Sequence, residues 1–180
     1  MNVETTRFGT IDVQEADIIT FPEGMLGFSK LHQYVLIERV DSSLFLWLQA
    51  LKKPSVAFPL LEPQIFEKGY QVKLADEDRK LLKLDTQLKC AKVFSIVTIP
   101  SDPTKMTANL KAPIVLNLKH RLAKQVILHD QDYPIRAGIF NELQHHCAAS
   151  HKPIFPDNEA PTYQAIHITE DLEGVIDQNA

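Results

Sequence analysis

The sequence predicts a mainly β fold: a small antiparallel β-barrel-like domain with one or two short helices. Three observations lead to this prediction. Apolar residues cluster in short runs rich in β-branched and aromatic types, turn-forming residues bound these runs, and no alternation of strands with long helices is visible. Because the connections are short, we expect successive strands to pair as antiparallel neighbours, and closure of the sheet would remove exposed strand edges.

Ten runs are strand candidates. The clear ones are residues 34–40, 44–51, 92–99, 113–118 and 124–128, and the weaker ones are 3–8, 11–13, 17–21, 55–61 and 70–74. Residues 44–51 and 93–99 are apolar at almost every position. We therefore expect both faces of these two strands to be covered.

Two segments have the spacing of helices. The first begins at residue 76 with three acidic side chains, which favour the positive end of a helix dipole, and places Leu81, Leu84 and Leu88 at i, i+3 and i+7. The second spans 139–147 and repeats apolar side chains. Further along, residues 164–169 alternate well enough to form one short strand.

The net charge of −4 belongs to the last thirty residues. Residues 1–150 carry 18 basic and 17 acidic side chains, whereas residues 151–180 carry 1 and 6, together with three closely spaced prolines. The sequence therefore predicts a β-barrel domain over 1–144 and an acidic, mobile C-terminal extension over 145–180. Without a basic stripe, direct binding of nucleic acid is not expected.

Cysteine usage and hydropathy predict a cytoplasmic protein that does not associate with membranes. The two cysteines, Cys90 and Cys147, are too few for a disulfide scaffold. The N-terminus lacks the apolar run of a secretory signal, and no stretch reaches the length of a membrane span.

Catalytic motifs are missing from the sequence. The six glycines form neither a phosphate-binding loop nor a dinucleotide fingerprint, and there is no nucleophile elbow and no zinc-protease signature. Two acid pairs, Asp76/Asp78 and Asp130/Asp132, could bind Mg²⁺ or divide general acid and base roles, but a helix start already explains the first pair and a polar turn the second. We therefore expect no enzymatic activity and no cofactor.

One cluster of metal-ligating side chains lies near the end of the second predicted helix. Residues four apart share a helix face, so Cys147 and His151 could chelate a soft metal with help from His145 or His146. The competing interpretation is a helix end with solvated histidines and a cysteine packed as a small hydrophobe. The cluster keeps a metal-sensing regulator open as an alternative function.

The single tryptophan, Trp47, lies inside an apolar run. An exposed tryptophan near a carboxylate would indicate a small-ligand-binding β-barrel, whereas a tryptophan in the middle of a strand is more often part of the core.

Five motifs, in order, resemble those of the flagellar assembly factor FliW family. They are Phe21-Pro-Glu-Gly-Met-Leu-Gly-Phe28, Phe45-Leu-Trp-Leu-Gln49, Val56-Ala-Phe58, Thr107-Ala-Asn-Leu-Lys-Ala-Pro-Ile-Val-Leu-Asn117, and Gln125-Val-Ile-Leu128 with Tyr133-Pro-Ile-Arg136. The resemblance covers about residues 1–140. The chain departs from many members in the basic loop at residues 52–54 and in its extension beyond the shared body.

The resemblance implies a protein without catalytic activity that binds two partners. One is CsrA, a dimeric RNA-binding translational repressor, and the other is flagellin. When bound to CsrA, such a protein relieves repression of flagellin mRNA, and cytoplasmic flagellin draws it away, which makes it a chaperone-like partner switch. We expect a monomer when it is free, and we expect the acidic tail to tune association with the RNA-binding partner.

The shared motifs also supply the partner-binding candidates. Gln49 and Asn109 are polar residues inside apolar motifs, so each either satisfies buried backbone or faces a partner. Tyr133 and Arg136 are types favoured at interfaces. The full set is Phe21, Pro22, Gly24, Gly27, Phe28, Gln49, Asn109, Tyr133 and Arg136.

Overall fold

A computed structural model describes residues 1–40, 44–156 and 160–168 of the chain. These residues form β1 (Asn2–Thr5), β2 (Gly9–Asp12), β3 (Ile19–Thr20), β4 (Gln33–Arg39), β5 (Leu46–Ala50), β6 (Ala57–Leu61), α1 (Asp76–Leu82), β7 (Ala91–Thr98), β8 (Thr107–Ala108), β9 (Ile114–Asn117), β10 (Leu122–Gln125), β11 (Ala137–Gly138), α2 (Phe140–Ser150) and β12 (Tyr163–Ala165). The predicted mainly β, barrel-like fold is confirmed.

Seven strands form a closed ring in the order β7, β6, β5, β4, β3, β10, β9 and back to β7. β7 closes the ring because it pairs with two partners. Its residues from Ala91 to Phe94 pair with β9, and Ser95 and Ile96 pair with β6. The pairs around the ring are antiparallel except for β3 with β10, which is parallel.

The remaining strands extend or cover this ring. β8 pairs with the end of β7, and β11 pairs with β8. β12 pairs with β4, and β1 and β2 form a hairpin with each other.

Alternation along the strands separates three apolar clusters. Every ring strand contributes to the barrel-interior cluster, whose buried members include Ile19, Tyr34, Leu48, Leu60, Phe94, Ile114 and Ala123. An outer cluster lies under the two helices and contains Leu61, Leu82, Val97, Val115 and Leu143. A hairpin cluster contains Val3, Phe8, Ile11, Val35, Ile37 and Ala165. Neighbours such as Leu60 and Leu61 thus enter different clusters, as strands covered on both faces require.

Helix α1 begins at the predicted residue but ends earlier than expected. Lys83 follows it with a left-handed φ of 54°, and the amide of Asn117 donates to the carbonyls of Leu82 and Lys83 at 2.8 and 3.1 Å. The helix therefore ends before Leu84 and Leu88, and the expected stripe of Leu81, Leu84 and Leu88 is wrong. Leu82 is the fully buried leucine.

The second predicted helix is confirmed as α2 and runs slightly longer than residues 139–147. It buries Leu143 and Cys147 and ends at Ser150, and His151 follows it with a left-handed φ of 54°. The short strand predicted at 164–169 is present as β12 over Tyr163–Ala165, and residue 169 lies outside the described residues.

The strand predicted at 70–74 is wrong. Two of its backbone N–H groups donate to side chains and not to another strand. The Gln71 N–H donates to the Tyr133 hydroxyl at 3.2 Å, and the Lys73 N–H donates to Gln131 Oε1 at 3.2 Å. The two-residue strands β8 and β11 were too short for a pattern of alternation to indicate them.

The predicted boundary between residues 144 and 145 falls inside α2. The division into a domain and an extension stays a prediction, and residues 157–159 and 169–180 of that extension lie outside the described residues. Its described part contacts the body: Phe155 stacks on Phe45 with ring centroids 5.7 Å apart, and Ile154 packs on the outer cluster. Within the described ranges, no helix combines the length and the apolar character needed to cross a membrane.

Candidate partner-binding surface

The glycine-containing loop of the first motif is a tight, hydrogen-bonded turn. Phe21 anchors it in the barrel interior, with its ring edge-on to Tyr34 at 4.9 Å. The Gly24 N–H donates to the Phe21 carbonyl at 3.0 Å, and the Phe28 N–H donates to the Met25 carbonyl at 2.8 Å. Phe21 and Gly24 are buried, Phe28 is half-buried, and Pro22 and Gly27 are exposed.

Gly24 is required by the shape of this loop. Its φ is +70°, a conformation that L residues rarely adopt, and an added Cβ would lie 2.7 Å from the backbone of Ser29. Gly27 also has a positive φ of +80°, but an added Cβ there meets nothing within 4 Å.

An ammonium group ties this loop to the body. Lys124 Nζ lies 2.8 Å from a carboxylate oxygen of Glu23 in the loop and 2.8 Å from one of Asp78 in α1. Burial alone would lower the pKa of Lys124, but hydrogen bonds to Asp78 and Glu23 outweigh it and raise the pKa above its ordinary value. One cation on β10 therefore connects the loop with the helix.

The next residue along β10, Gln125, connects the loop to a second motif. Its Oε1 accepts from the Leu26 N–H at 3.2 Å, and its Nε2 donates to the Ala112 carbonyl at 3.2 Å. Ala112 belongs to the turn that Asn109 organises. The Asn109 Oδ1 accepts from the N–H groups of Lys111 and Ala112 at 3.1 and 3.0 Å.

The Tyr133-Pro-Ile-Arg136 motif lies against the same turn. The Leu110 N–H donates to the Pro134 carbonyl at 3.1 Å, and the Lys111 ammonium donates to the Gln131 carbonyl at 2.6 Å. A continuous path of hydrogen bonds therefore joins three motifs that are distant in sequence.

Tyr133 packs against a residue that holds the turn of Asn109 in place. Its ring packs against Tyr70 with centroids 4.6 Å apart. The Tyr70 hydroxyl in turn donates to the Leu110 carbonyl at 2.7 Å, and burial, reinforced by the nearby Tyr133, raises the pKa of Tyr70. Tyr133 is thus partly a packing residue, whereas Arg136 is exposed.

Three large apolar side chains project into solvent along this path. Leu26, Ile127 and Ile135 are 54%, 41% and 65% exposed. Together with the exposed Arg136 they define what we call the motif surface: Leu26, Ile127, Ile135 and Arg136. The acidic side chains of Asp130 and Asp132 are exposed beside it in the chain.

The three apolar members of this surface are not among the partner-binding residues predicted from the sequence. Leu26 lies between Met25 and Gly27 in a turn, and Ile127 lies in a run of three apolar residues, one of which must face outward by the alternation of an extended chain. Ile135 lies directly between two residues of the last motif. The positions of these three residues in the sequence were therefore the only indication that their side chains could be exposed.

Gln49 occupies a different place. It is fully buried on β5, and its Nε2 donates to the carbonyls of Ala50, Lys53 and Pro54 at 2.9, 3.4 and 3.3 Å. The amide therefore organises the basic loop that follows β5. For Gln49 and Asn109 alike the structure shows the first of the two expected alternatives, bonding to backbone, and a contribution to partner binding stays a prediction.

The metal-ligating candidates are not brought together. Cys147 is buried, which raises its pKa, while His145 and His151 are exposed. No group of three or more His, Cys, Asp or Glu side chains that could hold a metal ion occurs among the described residues. The alternative of a metal-sensing regulator therefore receives no support, and among the described residues neither Asp76/Asp78 nor Asp130/Asp132 is part of such a group.

Trp47 is half-buried and does not offer an open platform. Its ring meets Phe8 edge-on at 5.4 Å, and the Arg7 guanidinium lies over it at 4.6 Å from the centroid. A sugar-stacking tryptophan needs a free ring face, and side chains from the ring strands fill the barrel interior. The alternative of a small-ligand-binding barrel likewise receives no support.

The chain resembles proteins of one family along most of its length. The family described as FliW protein matches residues 2–139. The flagellar assembly factor FliW of Bdellovibrio bacteriovorus is 47% identical over 144 residues, which are 80% of this chain and 82% of that protein. The flagellar assembly factor FliW of Ruminiclostridium cellulolyticum is 42% identical over 145 residues, 80% of this chain and 97% of that protein.

A solved structure agrees with these sequence matches. A crystal structure of the flagellar assembly factor FliW matches with a TM-score of 0.73 and 32% sequence identity, covering 78% of this chain and 97% of that chain. The predicted resemblance is confirmed.

The two loop glycines provide a matched test of this geometry. We expect Gly24→Ala to lower the free energy of unfolding by about 2 to 4 kcal/mol, since it adds both a left-handed side chain and a backbone clash. Gly27→Ala should lower it by only about 1 kcal/mol, because it adds the conformational cost alone. Urea unfolding followed by fluorescence measures both, and equal losses would contradict the assigned role of Gly24.

Proposed function

The chain belongs to the FliW family, and we propose that it is a flagellar assembly factor that works by binding other proteins in the cytoplasm and catalyses no reaction. Its partners in this proposal are CsrA, whose repression of flagellin mRNA it relieves, and flagellin, which competes for it. In the free state it is a monomer. The observation that carries the proposal is the family match over residues 2–139, which spans nearly the whole described body.

The motif surface supports the proposal physically. Binding energy at protein interfaces comes from a few apolar and arginine anchors near the centre of a patch. Ile135 and Arg136 are adjacent and exposed, and within the described part of the chain no ion pair occupies the guanidinium of Arg136. Ile127 and Leu26 are exposed as well, and hydrogen bonds through Gln125 and the turn of Asn109 connect the segments that carry Leu26 and Ile135.

Acidic side chains close in sequence to the motif surface favour a basic partner. Asp130 and Asp132 are exposed, and the extension adds Glu170, Asp171 and Glu173 in a segment outside the described residues. An RNA-binding protein presents positive potential, and complementary potentials accelerate encounter. The two partners need not use the same residues, since competition requires only that binding of one disfavours the other.

Substitutions on the motif surface test the proposal directly. We expect Ile135→Asp to weaken binding of CsrA, flagellin or both by at least about tenfold, because a charge replaces an apolar anchor, and Arg136→Ala to weaken it by a smaller factor. Both side chains are exposed, so the thermal midpoint should change little. Isothermal titration calorimetry with each purified partner measures the affinities.

Thr86→Asp is the matched control, because it adds the same charge at an exposed residue after α1. It should bind both partners like the wild type. Wild-type affinities for Ile135→Asp and Arg136→Ala would show that the motif surface is not the interface, and failure of the wild type to bind either partner would overturn the proposed function itself.

The acidic tail provides a separate prediction about rate. A triple variant with Glu170→Gln, Asp171→Asn and Glu173→Gln should associate with CsrA more slowly than the wild type at low salt, because steering by opposite charge is weakened. The difference should disappear at high salt, where exposed charges are screened. Stopped-flow association rates measure this, and equal rates at low salt would contradict it.

A further inference from the structure

We propose that the open edge of β4, at residues 36–40, is a strand-binding site that the chain fills with its own C-terminal segment (residues 160–168). In this proposal an extended segment of a protein partner binds there in trans when the C-terminal segment leaves. The partner segment carries a small apolar residue, then a larger apolar residue, then a nitrogen donor.

The edge of β4 is left open by the barrel itself. β5 pairs with one side of β4 from Tyr34 to Ile37, while β3 covers the other side only at Gln33 and Tyr34. Beyond that point the backbone groups on this side of β4 would face solvent. An uncovered strand edge of this kind is a template for pairing with another extended chain.

The C-terminal segment satisfies those backbone groups. β12 pairs antiparallel with β4, with Gln164 opposite Glu38. Beyond the ends of the strand, the Val40 N–H donates to the Thr162 carbonyl and the Ile166 N–H donates to the Leu36 carbonyl, each at 2.9 Å. The segment therefore binds as an added strand.

Side chains of the segment alternate between two clusters. Tyr163 and Ala165 face the hairpin cluster, where the Tyr163 ring lies 4.8 Å from that of Phe8 and Ala165 is 5% exposed. Ile166 and Ile168 face the barrel interior. Because Ala165 is so tightly enclosed, the site accepts only a small residue at that position.

A buried carboxylate sets the requirement for a nitrogen donor. Asp17 is 1% exposed, and its Oδ2 accepts from the Gln14 N–H at 2.9 Å. The His167 Nδ1 lies 3.1 and 3.0 Å from the two carboxylate oxygens. When the C-terminal segment leaves, Asp17 keeps the Gln14 N–H but loses the His167 ring nitrogen, so a replacing segment is favoured when it brings a nitrogen donor to the same place.

The open edge of β4 lies within the family match, whereas the C-terminal segment that covers it lies outside the match. The family match ends at residue 139, before β12 begins, and the 145 matched residues already account for 97% of the Ruminiclostridium relative. The seven-stranded ring closes without β12. The open edge therefore lies inside the part of the chain that the family match covers, and the C-terminal segment lies outside it.

The test uses the full-length chain and a fluorescent peptide with the sequence of residues 160–168. Ile166→Pro removes the N–H that donates to Leu36 and so releases the C-terminal segment. We expect this variant to bind the peptide at least about tenfold more tightly than the wild type, because the site is no longer occupied in cis. The Val40 amide should exchange faster with deuterium in the variant and slow again when the peptide is added.

Ala160→Pro is the matched control. It places the same residue in the same segment at an exposed position ahead of the pairing, and it should behave like the wild type. Ala165→Glu is a second release variant that keeps every backbone donor but puts a charge into the hairpin cluster. A peptide with alanine in place of His167 should bind both release variants more weakly than the unaltered peptide.

Several outcomes would overturn the proposal. The release variants could stay folded but bind the peptide no better than the wild type, or the control Ala160→Pro could bind it as tightly as the release variants do. Both release variants could also fail to fold, or they could form dimers that exchange the segment between copies. None of these measurements involves CsrA or flagellin, so their failure leaves the proposed function unaffected.

Discussion

The pairing of β7 with two different neighbours is the constraint on which the rest of this structure depends. Residues 91–94 pair with β9 and residues 95–96 pair with β6, so one strand closes a seven-stranded sheet into a ring. Closure requires β7 to be apolar on both faces, because its inner side chains fill the barrel while its outer ones lie beneath the helices. The same requirement explains the apolar run at residues 93–99, which Ser95 and Thr98 interrupt.

The candidate surface is positioned by this closed ring. β7 ends beside β8, and the Ile96 carbonyl accepts from the Asn109 N–H at 2.9 Å, which fastens the turn of Asn109 to the ring. β10 contributes Lys124 and Gln125, whose side chains fasten the glycine-containing loop to that turn and to α1. Ile135 and Arg136 can then project outward, because the segment that carries them is bound through its backbone. Closure also leaves open the edge of β4 at residues 36–40, where another strand can pair.

Much of this fold could be predicted from residue patterns, and the exceptions have specific physical causes. Four of the five clear strands, the start of α1 and the presence of α2 follow from local periodicity and charge, whereas the strand predicted at 124–128 is shifted, because β10 runs over Leu122–Gln125. The early end of α1 could not be foreseen, because Asn117 caps it from a strand 35 residues away. Residues 70–74 alternate like a strand, yet side chains from residues 131 and 133 take their amides. The motifs indicated where the surface lies, but the exposure of Leu26, Ile127 and Ile135 depends on tertiary packing.

Native-state hydrogen exchange at increasing urea concentrations tests the role of β7 most directly. If ring closure holds the molecule together, the amides that pair β7 with β9 and β6 should exchange only through global unfolding, with the free energy and urea dependence of the whole protein. Exchange of those amides at a lower free energy and without urea dependence, while the β4–β5 pairs stay protected, would contradict it. The ring would then open at β7 without unfolding, and the motif surface would not rest on a closed barrel.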